Sequence, residues 1–169
     1  MKFKILMSIF TVLIIGFMIP EPKRIPVKSA TSNDWNSATF WYEPWGTSGV
    51  HKGIDIFATS GTPVVAATNQ LVLFRGEFKK GGKVIIAIGP SWKLHYYAHL
   101  ATINHNRGFF SSAGSQLGTV GDSGNAKGKP PHLHYSILSL IPRPWLIDSS
   151  SQGFKKAFYL DPIKYFNAI

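Results

Sequence analysis

The apolar positions fall into one long run followed by many short ones. Ile5 to Ile19 is apolar apart from Ser8, Thr11 and Gly16, and Lys2 and Lys4 precede it. As a helix these fifteen residues rise roughly 23 Å, short of the ~30 Å hydrocarbon core of a bilayer. That length and the basic start suit the hydrophobic part of a signal peptide, with an uncleaved membrane anchor as the alternative. Beyond it, Pro63–Ala67 and Gln70–Phe74 are short apolar segments with β-branched residues. Lys83–Ile88 and Lys93–His99 flank the turn sequence Gly89-Pro90-Ser91. Ser115–Val120, His132–Leu138 and Phe158–Leu160 complete the series. Such segments between turn residues predict strands. No amphipathic helix longer than two turns is predicted after the first segment. The fold class is therefore all-β, mainly antiparallel sheets, with an N-terminal hydrophobic export helix.

Composition agrees. The 169 residues include 16 Gly and 11 Pro, which suits a turn-rich single domain. Residues 1–30 read as signal peptide or membrane anchor, 31–45 as linker and start of the domain, and 46–169 as the domain. Cysteine is absent. That excludes disulfides, thiolate metal sites and a cysteine nucleophile, so a metal would be held by His, Asp or Glu. The net charge is +10, of which residues 1–30 carry +4 and the remainder +6. A basic chain favours an anionic partner: nucleic acid, anionic lipid or an acidic polymer such as bacterial cell wall. The lysines are scattered, with no basic helix and no RNA-binding signature, so no nucleic-acid partner is expected.

Three stretches carry chemistry. In the predicted strand His132-Leu133-His134, the two imidazoles share one face, and imidazole is the commonest metal ligand. A plain pair of strand-face histidines reads the same way. In His51-Lys52-Gly53-Ile54-Asp55-Ile56, a turn at Gly53 would bring His51 and Asp55 to one cavity. Asp55 sits between two isoleucines, and a buried aspartate is rare unless paired or on a metal. A strand with one solvated face is the bland alternative. In Tyr96-Tyr97-Ala98-His99-Leu100, an unbroken strand would put His95, Tyr97 and His99 on one face. Spacing does not say which of these histidines is functional.

Together, His51-x-Gly53-x-Asp55, Tyr97-Ala98-His99-Leu100 and Gly121-x-x-Gly124-Asn125 running into Pro131-His132-Leu133-His134 resemble the lysostaphin or LytM-type zinc metallopeptidases, peptidase family M23. Gly61-Thr62-Pro63-Val64-Val65-Ala66-Ala67 and Asp161-Pro162 extend the likeness over about residues 46 to 166. Asn69-Gln70 and Ile88 depart from the family pattern at positions that are not ligands there. The resemblance implies a LytM-like groove in which His51, Asp55 and His134 bind Zn2+, with water in a fourth position. It implies His99 and His132 as the catalytic histidines, and leaves His95 and His105 without a role.

Two imidazoles, a carboxylate and a water make the open tetrahedral set of a catalytic zinc. There is no HExxH, and none of Glu21, Glu43 and Glu77 lies beside a ligand motif. Histidine is left to activate the water, at a pKa suited to neutral pH. The division of labour between His99 and His132 stays open. The expected function is a zinc-dependent endopeptidase that hydrolyses peptide stems or cross-links of bacterial peptidoglycan, exported to the periplasm or cell envelope. The alternative is a non-catalytic module of the same fold that binds or regulates another wall hydrolase. The bond cleaved is not legible. Specificity is expected from the loop Asn104–Ser112 and the segment Trp41–Ser48. The segment Asn33–Trp45 is a candidate cover for the site, with Asn33 or Asn36 as a blocking ligand.

Overall fold

A computed structural model describes residues 2–106 and 108–167. Arg107, in the loop Asn104–Ser112, and the last two residues of the chain lie outside the described set. After helix α1 (Lys2–Met18) come β1 (Ile54–Phe57), β2 (Pro63–Val65), β3 (Gln70–Phe78), β4 (Gly82–Gly89), β5 (Lys93–Ile103), β6 (Phe110–Ser111), β7 (Gln116–Val120), β8 (His132–Ser139), β9 (Tyr159–Leu160) and helix α2 (Pro162–Phe166). Every paired strand runs antiparallel, in the order β1-β8-β5-β4-β3-β6, with β7 joining β2 to β5 and β9 lying on β8. The all-β expectation holds. Strand β3 runs past its expected end because it pairs along most of β4, and β5 because its last residues pair with β7.

β5 is the hinge of the sheet. Its first half, Lys93–Ala98, pairs with β8, and Leu100–Ile103 pairs with β7 instead. His99 stands at the changeover with φ +63°, a left-handed conformation that costs a non-glycine residue about 1–3 kcal/mol. Its amide donates to the carbonyl of Gly81 at 2.8 Å, which holds the kink in place.

The core lies behind β1, β8 and β5. Ile54, Ile56, Leu133, Tyr135, Ile137 and Tyr97 are fully buried there. Burial of each isoleucine stabilises the fold by about 1.5–3 kcal/mol, so the residue between them is held firmly. Two phenols cross this core. The Tyr97 hydroxyl accepts from the Ala67 amide at 3.0 Å and donates to Gln70 Oε1 at 2.8 Å. The Tyr135 hydroxyl meets His95 Nδ1 at 2.7 Å. Asn69, one of the two departures from the family pattern, accepts from the Ala113 amide at 2.9 Å and pins the approach to β7.

Residues 24–28, within the stretch 1–30 read as signal peptide or membrane anchor, lie along the sheet. Arg24 donates to Ala67 O at 2.8 Å, Lys28 to Pro63 O at 3.0 Å, and Val65 to Pro26 O at 2.9 Å. Val27 enters the core, and the Glu21 carboxylate accepts from Lys93 Nζ and the Tyr165 hydroxyl. Helix α1 stands outside the core and touches the turn Pro90–Trp92, where Trp92 Nε1 donates to Leu13 O at 3.0 Å. Among the described residues no helix is long and apolar enough to cross a membrane.

Candidate metal centre and cleft

Strand register assembles the centre. Asp55 of β1 and Ala98 of β5 both pair with His134 of β8, and Phe57 pairs with His132. Alternation then turns Asp55, His132 and His134 away from the core that holds Ile54, Leu133 and Tyr135. His51 reaches the same place from just before β1, and Gly53 permits the approach. A Cβ there would lie 2.4 Å from Ser136 Oγ, 2.5 Å from Tyr135 O and 3.0 Å from His134 Cε1. The chain bends at Gly53, and its closeness to β8 leaves no room there for a side chain.

Three donor atoms converge. His51 Nε2 is 3.2 Å from Asp55 Oδ1 and 3.0 Å from His134 Nδ1, and His134 Nδ1 is 2.9 Å from Asp55 Oδ1. Tetrahedral bonds of 2.0–2.1 Å put neighbouring ligand atoms roughly 3.3 Å apart. The observed edges are within a few tenths of an ångström of that value, so the residues present fit a zinc ion and the group can hold a metal. Two imidazole nitrogens and a carboxylate oxygen are also the donor types that zinc accepts.

The supporting bonds set the tautomers. His51 Nδ1 lies 2.8 Å from Thr39 Oγ1 and 3.1 Å from Thr39 O. A carbonyl only accepts, so Nδ1 carries the hydrogen and Nε2 offers its lone pair. His134 is reversed: Nε2 meets Ser136 Oγ at 3.0 Å and Nδ1 faces the centre. The indole of Trp45 stacks on His51, ring centres 3.9 Å apart at 18°. Burial works against a charged Asp55, but the His134 and His51 rings beside it outweigh that and hold the carboxyl well below the usual range. Burial, opposed by Asp55, lowers His134. At neutral pH Asp55 is a carboxylate, and burial favours the neutral, ligating form of His134.

His99 and His132 flank this group. His132 Nδ1 donates to Pro130 O at 2.8 Å, and His99 Nδ1 donates to Ser123 O at 2.9 Å. Both therefore present a bare Nε2. Their ring centres are 5.1 Å apart, and His99 is 6.0 Å from His134. His132 Nε2 is 3.9 Å from Asp55 Oδ2. Burial, partly offset by the Ser123 carbonyl, brings His99 down to about 4. It is thus a neutral acceptor at neutral pH.

All five expected residues meet at the floor of one cleft of about 420 Å³. Its walls include Trp45, Tyr96 and Asn125, and its rim carries Lys52, Lys80 and Lys129. Burial, then the nearby Lys155 and Lys80 ammoniums, lowers the pKa of Lys52. His95 does not join the cleft. It is buried in the core with Tyr97 on the other face from His99, because the left-handed residue at 99 breaks the alternation that placed all three together. The aromatic run divides: Phe40 packs on the core, Trp41 rests against Tyr159, and Trp45 lines the cleft. Residues 104–112, as far as they are described, do not line it. Phe110 and Ser111 pair with the edge of β3 instead. Neither Asn33 nor Asn36 lines the cleft, and Asn36 Oδ1 accepts from the Ala38 amide at 2.9 Å. Thr39 and Ser136, which orient two of the imidazoles, belong to no motif that sequence reading could have flagged. The aromatic run just before His51 was the one available hint of Trp45.

The profile described as "Peptidase family M23" matches residues 49–142. The L-Ala–D-Glu endopeptidase of Bacillus subtilis (strain 168) is 34% identical over 113 residues, covering 62% of this chain and 35% of that protein. Lysostaphin of Staphylococcus staphylolyticus is 33% identical over 119 residues, 64% of this chain and 24% of the relative. The chain thus spans about a third or less of the length of these curated relatives. The solved catalytic domain of the antimicrobial peptidase lysostaphin from Staphylococcus simulans superposes with a TM-score of 0.62 at 25% identity, covering 82% of this chain and 99% of that one.

Proposed function

Since this chain belongs to peptidase family M23, we propose that it is a zinc-dependent endopeptidase that hydrolyses peptide stems or cross-links of bacterial peptidoglycan. The observation that carries this reading is the convergence of three ligating atoms within 3.2 Å of one another, on the floor of a cleft that two further imidazoles share. The related wall hydrolases support the substrate class.

His51 through Nε2, Asp55 through Oδ1 and His134 through Nδ1 are the residues that would hold the ion. Zinc bound there supplies a Lewis acid and lowers the pKa of water to near 7. The remaining work falls to the protein. One bare Nε2, of His99 or His132, accepts the proton of the attacking water and passes it to the departing amine nitrogen. The other imidazole, protonated at Nε2 while its Nδ1 hydrogen stays on the backbone carbonyl, donates a hydrogen bond to the oxyanion of the tetrahedral intermediate. The Ser123 and Pro130 carbonyls orient both rings through their Nδ1 hydrogens, and Trp45 and Tyr96 wall the peptide away from bulk water. The chain acts outside the cytoplasm, in the periplasm or cell envelope, with α1 as its signal peptide or membrane anchor.

The test is direct. The full chain, loaded with zinc, is incubated with insoluble peptidoglycan beside His134→Ala, and soluble fragments are identified by mass spectrometry. Release by the wild type and none by the variant is expected. No release, or equal release, overturns the reading.

A further inference from the structure

The rim of the cleft is charged in one sense. Lys52 comes from the loop before β1, Lys80 from the turn between β3 and β4, and Lys129 from the loop before β8. Three separate loops thus bring ammonium groups to one opening. Lys80 Nζ donates to Thr47 Oγ1 at 2.7 Å, and Lys52 Nζ donates to Ser48 O at 3.0 Å. Lys155 adds a fourth charge near the same rim, since it holds Gln152, whose amide donates to Ser48 O at 2.9 Å. The oxygens that hold these ammoniums are uncharged. Among the described residues none of the four lysines takes part in an ion pair. Among the described residues Asp55 is the one carboxylate in the cleft lining, and it is committed to His51 and His134.

Ammoniums gathered without counter-charges repel one another, and a cleft with low-dielectric walls focuses their field on whatever enters. We propose that Lys52, Lys80 and Lys129 select a peptide bearing a free carboxylate close to the bond that is cut, an acidic stem peptide rather than an uncharged glycine bridge. This rests on the peptidase reading and narrows its substrate. A carboxylate in the cleft meets three donors that need an anion, whereas a glycine bridge gives them nothing. Each contact is partly open to solvent, so each lysine contributes roughly 2- to 5-fold in preference and the set ~10-fold or more.

The test uses the zinc-loaded full chain and a matched pair of synthetic peptides. Both are C-terminally amidated L-Ala-D-Glu-L-Lys-D-Ala in which the glutamate is joined to lysine through its γ-carboxyl, one with a free glutamate α-carboxylate and one with that group amidated. Hydrolysis gives kcat/KM for each, and fluorescence anisotropy of labelled copies gives Kd. The acid is expected to be favoured ~10-fold at 50 mM salt. That ratio should fall toward one in Lys80→Gln/Lys129→Gln and in wild type at 0.5 M salt. Lys164→Gln, on α2 and outside the lining, should keep it. The double variant leaves the neighbour of His51 intact, so misplacement of that ligand is not confounded with loss of charge. A ratio near or below one in wild type, or one that the double variant preserves, overturns the proposal. If neither peptide is cut, the peptidase reading is what fails for these stems, and the Kd ratio alone decides the charge selection.

Discussion

The imidazoles of His99 and His132 face each other with ring centres 5.1 Å apart and planes at 66°, although alternation along β5 would turn His99 into the core. One left-handed residue reverses the facing of the strand. Ala98 pairs with His134, and Leu100 already pairs with Val120 of β7, so the kink lies where β5 changes partners. The backbone cost is met by the bond from the His99 amide to Gly81.

Ligands and flanking imidazoles should separate under mutation. His99→Ala is expected to keep one equivalent of zinc while losing ~10²- to 10⁴-fold in kcat. His51→Ala or Asp55→Ala should lose the ion itself. Zinc content by atomic emission, set beside turnover, checks both. Loss of zinc from His99→Ala would place that residue among the ligands.

Thr39 reaches His51 from twelve residues away. Thr39→Val keeps the carbonyl contact and removes the hydroxyl one. Zinc affinity should fall about 10-fold, the low end for such a supporting bond. Competition with a chromophoric chelator measures it, and an unchanged affinity would show that the carbonyl alone orients the ring.

Gly53→Ala should act on fold and centre together. The new methyl group would press on Ser136, the backbone of Tyr135 and the His134 ring, pushing β1 off β8. A stability loss of about 1–3 kcal/mol in urea titration is expected, with weaker zinc binding. Full stability and full affinity in the variant would contradict the close approach.

His95 makes stability depend on pH. Burial, then the Lys93 ammonium, brings its pKa down to about 3, against about 6.5 when unfolded. Above pH 6.5 both states are neutral and stability is whole. Between 6.5 and 3 the unfolded chain takes a proton that the folded chain refuses, so stability falls by about 1.4 kcal/mol per pH unit as pH drops. His95→Leu leaves the Tyr135 hydroxyl without its partner and should be less stable at pH 8. Its urea midpoints at pH 5.5 and 4.5 should nevertheless decline less than those of the wild type.

The residues that sequence exposed are those whose placement follows from local alternation. His132 and His134 share a face because β8 is regular, and Asp55 between two isoleucines had to turn away from their side. His99 was readable as a member of a motif but not as a member of a face, since its kink depends on a hydrogen bond from its amide to the carbonyl of Gly81, eighteen residues earlier. Residues 24–28 have a linker's composition, yet their main chain pairs beside β2, and main-chain pairing leaves little trace in side-chain pattern. Thr39 carries no motif. Its role arises only when the loop before β1 folds back to bring His51 beneath it.

β8 is a partition one peptide thick. His134 hangs on one side and Tyr135, bonded to His95, hangs on the other. Any slackness in the hidden room must therefore be felt in the working one. A random screen for inactive variants should recover the core phenol and its imidazole partner among its hits, though neither side chain can touch a substrate.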